Sequence, residues 1–295
     1  MRRTKLGGMT GAAAVAAAAL ALVLPQTAYA TTWTRLPAYS TWTGVTALER
    51  GQGIATDGTY FYYSGTYSLD KATVDGNHEA ATNALAIPSA LSGPYGSNHI
   101  GDIDVYGGYV IAPIEDGSGY QHPLLALYST ADLSWTGRYV QLPQSLLPDG
   151  APWVAVDAAA GLVYTAAWNQ DAANGTDELV AYRLSDLLSL PAGAALPVAG
   201  TVRLARPLSR IQGAAMLDGV LYASVDGDGD KAVYAIDPVS GAVTRAFSQD
   251  VQPDDEVEGI AALDLGPGGG RLHILNVGSG WKSIFLYLQH YQPAG

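Results

Sequence analysis

The 295-residue sequence predicts an all-β fold, and three observations support this prediction. Short apolar runs rich in Tyr, Val and Leu recur along the chain, and Gly, Pro, Asn or Asp residues separate them, as is typical of strands joined by turns. The runs fall into five similar units that begin near residues 52, 101, 153, 212 and 258, roughly 46 to 59 residues apart. Helical periodicity with capping residues is scarce after residue 30.

Each unit has room for four strands, which is the content of one blade of a β-propeller. The fourth unit shows this most clearly, because Asp218-Gly219 and a Pro-Val-Ser-Gly turn separate its runs. Its four strands are predicted at residues 211–217, 220–226, 231–237 and 242–248. The sequence therefore predicts a β-propeller of five four-stranded blades. The alternatives are a six-bladed ring with one degenerate blade and a pair of β-sandwiches.

The last blade is predicted to need a strand from the other end of the chain. The fifth unit contains only three predicted strands, at residues 259–264, 271–277 and 283–291, whereas residues 32–36 form an unused strand at the mature N-terminus. We expect this N-terminal strand to complete the last blade. A ring closed in this way leaves no long unpaired strand edge.

Residues 1–30 have the pattern of a secretory signal peptide. Three cations among the first five residues precede an apolar run at residues 12–24, and an Ala-x-Ala cleavage pattern ends at Ala30. The alternative is a membrane anchor, but the run is shorter than the about 20 residues that span a bilayer. We therefore expect cleavage after Ala30, a secreted, extracellular protein, and one propeller domain over residues 31–295.

Charge and cysteine content exclude several function classes. The net charge is −12, and removal of residues 1–30 takes away three cations and no anion, which makes it −15. Because nucleic acids and anionic membranes are bound by basic surfaces, neither is expected as a partner. The chain has no cysteine, which excludes thiol catalysis and cysteine-based metal sites.

One face of the predicted ring collects polar and aromatic residues. The inner strands of all blades begin on the same face, where the loops after the second strands also lie. A concave polar site with aromatic walls at this central mouth is a candidate ligand site, for a small molecule or a glycan. The predicted ligand-binding residues are Gln52, Trp153, Trp168, Arg210 and Gln212.

Three further residues at the mouth are predicted to be catalytic: His99, Asp102 and Glu258. An imidazole near a carboxylate can act as a general base near neutral pH, and the alternative is a histidine that only hydrogen-bonds between blades. A buried carboxylate needs a cation, a histidine or backbone N–H groups beside it. Asp102 and Glu258 are therefore also predicted metal ligands.

A glycine loop carries three carboxylates at alternate positions, at Asp226, Asp228 and Asp230. Such spacing can wrap a calcium ion, which takes six to eight oxygen ligands. The sequence therefore predicts a divalent cation, calcium, at this loop. The alternative is an acidic hairpin turn, because Asp-Gly pairs favour tight turns.

The whole mature chain, as a repeat pattern, resembles the secreted bacterial propellers related to the NHL and SMP-30/gluconolactonase groups. The segment Glu258-Gly259-Ile260-Ala261 is similar to the Glu-Gly strand start of the lactonase group. That resemblance implies a divalent metal on Glu258. The group's other metal ligands have no recognisable counterparts in this sequence.

Three functions follow as hypotheses. The first is a metal-assisted hydrolase or lactonase-like enzyme, in which the metal polarises a carbonyl or activates water and His99 moves the proton. The second is a non-enzymatic propeller that binds one ligand or carbohydrate at the centre. The third is a scaffold for other proteins, and the fold alone does not separate these functions.

Overall fold

A computed structural model describes residues 32–37, 40–43, 45–75, 78–117, 119–168, 176–227, 229–279 and 284–294. The predicted signal peptide and Asp228 lie outside these residues. The N-terminal part contains two strands and a short helix: β1 (Trp33–Arg35), β2 (Ser40–Thr43) and α1 (Val45–Arg50). Among the described residues, no helix is both long and apolar enough to cross a bilayer.

The first two blades follow directly. The first contains β3 (Gly53–Thr56), β4 (Tyr60–Ser64), β5 (Leu69–Thr73) and β6 (Glu79–Asn83). Helix α2 (Ser89–Tyr95) leads to the second blade. The second blade has an inner strand in two pieces, and its members are β7 (His99–Ile100), β8 (Asp104–Tyr106), β9 (Tyr109–Glu115), β10 (Leu124–Ser129) and β11 (Trp135–Gln141).

The third blade sends a segment back to its neighbour. Its strands are β12 (Ala155–Asp157), β13 (Leu162–Thr165), β14 (Thr176–Arg183) and, after an excursion, β16 (Val198–Leu208). The excursion contains α3 (Leu184–Ser189) and β15 (Ala194–Ala195). Strand β15 pairs in parallel with β11 and covers the outer edge of the second blade. Covered edges do not pair with other chains.

The last two blades complete the ring. The fourth contains β17 (Ile211–Leu217), β18 (Val220–Gly227), β19 (Asp230–Ile236) and β20 (Val243–Ser248). The fifth contains β21 (Glu256–Ala262), β22 (Leu272–Val277) and β23 (Phe285–Pro293). The fold is a five-bladed β-propeller, as the sequence predicted.

The predicted closure of the fifth blade is confirmed by strand pairing. Strand β1 pairs antiparallel with the end of β23, where Trp33 lies opposite Pro293. Strand β2, which the sequence analysis did not predict, pairs with the beginning of β23. Strands β1 and β2 therefore pair with β23 over most of the length of β23.

The apolar core consists of five clusters, one at each interface between neighbouring blades. Tyrosines on the strands supply much of this packing. Tyr62, Tyr164, Tyr222 and Tyr234 are all buried in these clusters, which confirms that they pack the blades. Because each blade packs only on its two neighbours, the centre of the ring is left to the first residues of the inner strands.

Candidate functional site

A pocket of about 340 Å³ opens at the mouth of the ring, and side chains from all five blades line it. We call it the mouth pocket. Its lining contains Gln52, Thr66, Tyr67, Asn98, His99, Glu115, Gly117, Tyr120, Pro152, Trp168, Gln212, Glu256 and Glu258. The structure thus brings together five of the residues chosen from the sequence: Gln52, His99, Trp168, Gln212 and Glu258.

Two β-bulges place Gln212 and Glu258 at this pocket. The pairing of β17 with β18 shifts between Ile211 and Gly213, which leaves Gln212 as an extra residue. The pairing of β21 with β22 shifts between Val257 and Ile260, in the segment that contains Glu258. A bulge re-aims a side chain and interrupts the ladder, which is why bulges occur beside functional sites.

His99 lies between an amide and a carboxylate. Its Nε2 is 2.6 Å from Gln52 Oε1, and its Nδ1 is 3.2 Å from Glu115 Oε2. The Gln52 amide donates through its own Nε2 to the carbonyl of Gly51, so its oxygen faces the ring and accepts from His99 Nε2. The His99 ring thus bridges the Gln52 amide of the first blade and the Glu115 carboxyl of the second.

Glu115 and Glu258 each present a carboxyl group that the protein does not satisfy. Glu115 is 4% exposed, and its Oε1 has no hydrogen-bond partner in the described part of the chain. Glu258 is also 4% exposed and lines the pocket. No hydrogen bond to a described residue involves its carboxyl group, but its oxygens, unlike Glu115 Oε1, are not among the solvent-excluded atoms without a partner, so the open space of the pocket reaches them. Burial raises the pKa of Glu258 well above its usual value, and the nearby Glu256, Asp226 and Asp102 raise it further, while Arg210 opposes them.

A second chain of polar contacts borders the pocket. Trp168 Nε1 donates to Gln212 Oε1 at 3.1 Å, and Gln212 Nε2 lies 3.5 Å from Glu256 Oε1. Arg210, which is not in the lining, lies 3.7 Å from the same Glu256 oxygen, with its guanidinium carbon 5.7 Å from the Trp168 ring centre. Arg210 therefore positions Trp168 and Glu256 from behind.

Asp102 lies at the ring axis and is not part of the pocket lining. It is 0% exposed, and its carboxyl accepts backbone N–H groups from Ile54 at 2.8 Å, Ala214 at 3.1 Å and Ile260 at 3.4 Å. Its own N–H donates to the carbonyl of Pro152 at 2.8 Å. Burial raises the pKa of Asp102 well above its usual value, although these N–H groups oppose the rise. The side chain of Asp102 thus joins its own blade to the first, fourth and fifth blades, and its backbone N–H joins it to the third.

Three glycines make room for Asp102. A Cβ atom on Gly53 would lie 2.5 Å from the Asp102 Cα, and one on Gly213 or Gly259 would collide with the Asp102 carboxyl. These glycines stand at matching places in the first, fourth and fifth blades. Their recurrence was a signal in the sequence that something approaches closely at the axis, and the sequence analysis did not use it.

Trp153 also lies away from the pocket. It is 0% exposed and packs in the cluster between the third and fourth blades. The residues that sequence reasoning overlooked in the pocket are Thr66, Tyr67, Asn98 and Tyr120. They lie in loops, where no strand pattern indicates which way a side chain points.

The acidic glycine loop pairs its carboxylates with cations. Asp226 receives Lys231 Nζ at 2.9 Å on one oxygen and Arg210 at 3.3 Å on the other. Asp230 lies 2.7 Å from Arg245 and also accepts from the Tyr234 hydroxyl. The described residues contain no group of three acidic, histidine or cysteine side chains that could hold a metal ion. The carboxyl groups of Asp226 and Asp230 are thus occupied by cationic side chains of the protein, and calcium at this loop stays a prediction.

Fold and site together define a five-bladed β-propeller whose mouth holds a polar pocket with three glutamates in its described lining. No protein-family model matches the chain, and no curated protein matches it. Solved structures do: apo AztD from Citrobacter koseri is 17% identical with a TM-score of 0.36, over 67% of this chain and 47% of that chain. The WD40 β-propeller domain of Doa1 is 10% identical with a TM-score of 0.41, over 80% of this chain and 77% of that domain.

The chain spans about half the length of the AztD chain that it matches. At these identities and scores, the assignment of the fold rests on the strand pairing described above. The function must be argued from the pocket itself.

Proposed function

We propose that the protein is an exported binding protein that holds one small polar ligand in the mouth pocket. The observation that carries this proposal is Glu258, a buried carboxyl group that lines the pocket without a hydrogen-bond partner among the described residues. A carboxyl group that receives no donor from the protein is left to water in the pocket, and a ligand that donates to it can take the place of that water. The five blades contribute different side chains to the pocket lining. This favours one ligand on the ring axis over five equivalent sites, one per blade.

The test is thermal unfolding of the mature protein with a library of small polar compounds. A ligand at one hundred times its Kd stabilises the folded state by about 2.7 kcal/mol. For a domain of this size, that corresponds to a rise in Tm of about 5–10 °C. We expect Trp168→Phe to reduce this rise, because the indole N–H that holds Gln212 is lost.

The matched control is Trp135→Phe, which changes the same residue type on the outer strand β11, away from the pocket. It should leave the rise intact. If no compound raises Tm, or if both variants respond as the wild type does, the mouth pocket is not the binding site.

A second candidate is a hydrolase, and the contact between His99 Nδ1 and Glu115 Oε2 favours it. Glu258, with its raised pKa, is suited to donate a proton, and the His99–Glu115 pair is suited to accept one from water. Turnover of lactones, esters or glycosides by the wild type, lost in Glu258→Gln, would support it. If compounds of that panel bind but are not converted, the hydrolase candidate is rejected and the binding function stands.

The relationship to the NHL and SMP-30/gluconolactonase groups belongs to this proposal as well. The Glu258-Gly259 pair, in the first half of β21 and beside the mouth pocket, supports it. Export is supported by the signal-peptide pattern, and mass spectrometry of culture supernatant tests it. A secreted chain that begins at Thr31 is expected, whereas a chain retained in cells with Met1 would contradict export.

A further inference from the structure

Apart from His99, the charged residues in the described lining of the mouth pocket are all acidic. It contains three carboxyl groups, those of Glu115, Glu256 and Glu258, and no lysine or arginine. The one imidazole, His99, is already held between Gln52 and Glu115. The pocket therefore offers a ligand hydrogen-bond acceptors and negative charge.

The three carboxyl groups differ in how far the protein satisfies them. Glu256 is half-exposed and has Arg210 beside it. Glu115 uses one oxygen for His99, and its Oε1 remains without a partner in the described part of the chain. The Glu258 carboxyl has no described hydrogen-bond donor. Glu115 Oε1 is excluded from solvent and lies against Gly150. The Glu258 carboxyl is therefore the acceptor in this pocket that a donor from outside can reach.

We propose that the ligand carries a positively charged amine that binds at the Glu258 carboxyl, with Glu115 and Glu256 nearby in the same lining. This inference rests on the proposed binding function and specifies the chemical class of its ligand. An ammonium group has up to three donors and no acceptor, which matches the two Glu258 oxygens that accept no hydrogen bond from a described residue. Charge-assisted hydrogen bonds to a carboxylate are about twice as strong as neutral ones. The aromatic side chains of Tyr67, Tyr120 and Trp168 suit a cation as well.

The size and the remaining groups of the pocket narrow the class. A volume of about 340 Å³ corresponds to roughly eleven waters at about 30 Å³ each. Asn98, Gln52 and Gln212 supply amides that can bond hydroxyl groups. The ligand class is therefore a small hydroxylated amine, such as an amino sugar or an amino alcohol.

A divalent cation is the competing occupant for the same carboxylates. Divalent cations need several oxygen ligands converging on one point, and the described residues contain no such group. An amine needs only two acceptors and an aromatic wall. The geometry therefore favours the organic cation.

Proton release gives the proposal a distinctive signature. In the free protein, burial and the surrounding Glu256, Asp226 and Asp102 raise the pKa of Glu258, opposed by Arg210, while His99 and Glu115 line the same pocket. An ammonium group lowers that pKa again, because it favours the charged carboxylate. Binding should then release a proton, and affinity should rise with pH until the amine itself deprotonates. A neutral polyol would release none.

The experiment compares matched pairs of probes on the mature protein by calorimetry and thermal shift. The pairs are glucosamine with glucose, and ethanolamine with ethylene glycol, together with a fragment library of ammonium compounds and their neutral counterparts. We expect cations to bind and their neutral partners to bind at least about tenfold more weakly. The binding enthalpy of the cations should differ between phosphate and Tris buffers, which reports the released proton.

The key variants are Glu258→Gln and Glu115→Gln, each expected to weaken cation binding about tenfold or more and to remove the charge preference. The control is Glu79→Gln, which removes the same charge from the exposed outer strand β6 and should change nothing. If Glu258→Gln does not fold, the buffer dependence of the wild type and the Glu115→Gln variant still decide.

The outcomes separate the two levels of the proposal. Equal binding of cations and neutral partners, reduced by Trp168→Phe, would overturn the amine and keep the binding site. A response to calcium alone that Glu258→Gln abolishes would overturn the amine in favour of a metal. No binding by any probe would overturn both the amine and the proposed binding function.

Discussion

Two buried carboxyl groups near the ring axis, those of Asp102 and Glu258, have opposite surroundings. Asp102 is 0% exposed and accepts three backbone N–H groups, which come from the first, fourth and fifth blades. Glu258 is 4% exposed, borders the mouth pocket and accepts no hydrogen bond from a described residue. Burial raises the pKa of both groups.

The difference shows that burial alone does not separate a structural acid from a functional one. What separates them is which groups replace the lost water. For Asp102 the protein itself replaces it, with N–H donors from three inner strands. For Glu258 no described residue does, and its carboxyl group faces the open pocket, which leaves that position to water or to a ligand. The two residues look alike in the sequence because both stand near the start of an inner strand.

The largest expected effect comes from removing the axial acid. Asp102→Ala should lower the free energy of unfolding by about 3–6 kcal/mol, because three buried N–H groups lose their acceptor. Glu258→Gln should change it by less than about 1 kcal/mol, because no hydrogen bond within the protein is lost. Denaturant unfolding of the mature protein measures both values.

The opposite order of the two stability losses would contradict the assignment of Asp102 to the fold and of Glu258 to ligand binding. A stable Asp102→Ala protein that fails only in binding or turnover would show that Asp102 is a functional residue, as the sequence first suggested. A strongly destabilised Glu258→Gln protein would show that Glu258 supports the fold.

Two buried histidines at the other end of the fifth blade, His273 and His290, are a further case of buried titratable groups that find partners within the protein. His273 Nδ1 lies 2.7 Å from His290 Nδ1, and His273 Nε2 lies 2.8 Å from the carbonyl of Leu263. Burial lowers the pKa of His273 to about 4 and also lowers that of His290. Both ring nitrogens of neutral His273 have hydrogen-bond partners within the protein. The protein thus provides the partners of this buried group, as it does for Asp102.

Acid should therefore destabilise the fold through this pair. Between pH 6.5 and about 4 the unfolded chain binds more protons at His273 than the folded one does. Stability is then complete above pH 6.5 and is lost as the pH falls, by up to about 3 kcal/mol. Denaturant unfolding across this range measures the slope.

The control for this slope is a histidine that is exposed. His273→Gln should flatten the dependence on pH, whereas His78→Gln should not, because His78 is exposed beside β6. An unchanged slope in the His273→Gln protein would assign the acid sensitivity to other groups.

A smaller effect is expected from the glycines that surround Asp102. Gly53→Ala should destabilise by about 1–3 kcal/mol, because the added methyl would lie 2.5 Å from both the Asp102 Cα and Ser64 Oγ. Gly200→Ala, in the exposed strand β16, meets no atom within 4 Å and should be neutral or slightly stabilising. Comparison of the two Tm values checks this. Equal Tm values would mean that the space around Asp102 accommodates the added methyl group.

The sequence predicted the features that local pattern controls. The turns at Asp218-Gly219 and Pro238–Gly241 bracket strands of the fourth blade, and the structure has them within about one residue of the prediction. The same strand starts predicted that Gln52 and His99 face the mouth. Local turn chemistry and apolar alternation suffice for such predictions, because they depend on neighbours in the chain.

The features that the sequence did not predict depend on distant partners. Asp102 turns to the axis because the inner strand of the second blade breaks between Ile100 and Asp104, and only the glycines of other blades make that position available. Trp153 packs against the fourth blade for a similar reason. No spacing within one unit reports which blade a side chain will meet.

The smallest expected effect concerns the acidic glycine loop, where alternating carboxylates predicted calcium. Asp230 pairs with Arg245, and both side chains are partly exposed at 34% and 46%. Such pairs contribute about 0–1 kcal/mol, so Asp230→Asn should lower stability by no more than that. Because Asp226 is held by Lys231 and Arg210 on its two oxygens, calcium should shift the Tm of wild type and Asp230→Asn equally. Thermal unfolding with calcium and then with excess chelator measures the shift. A calcium-dependent rise that disappears in Asp230→Asn would place the ion in the loop and would show that the cations leave Asp226 when calcium binds.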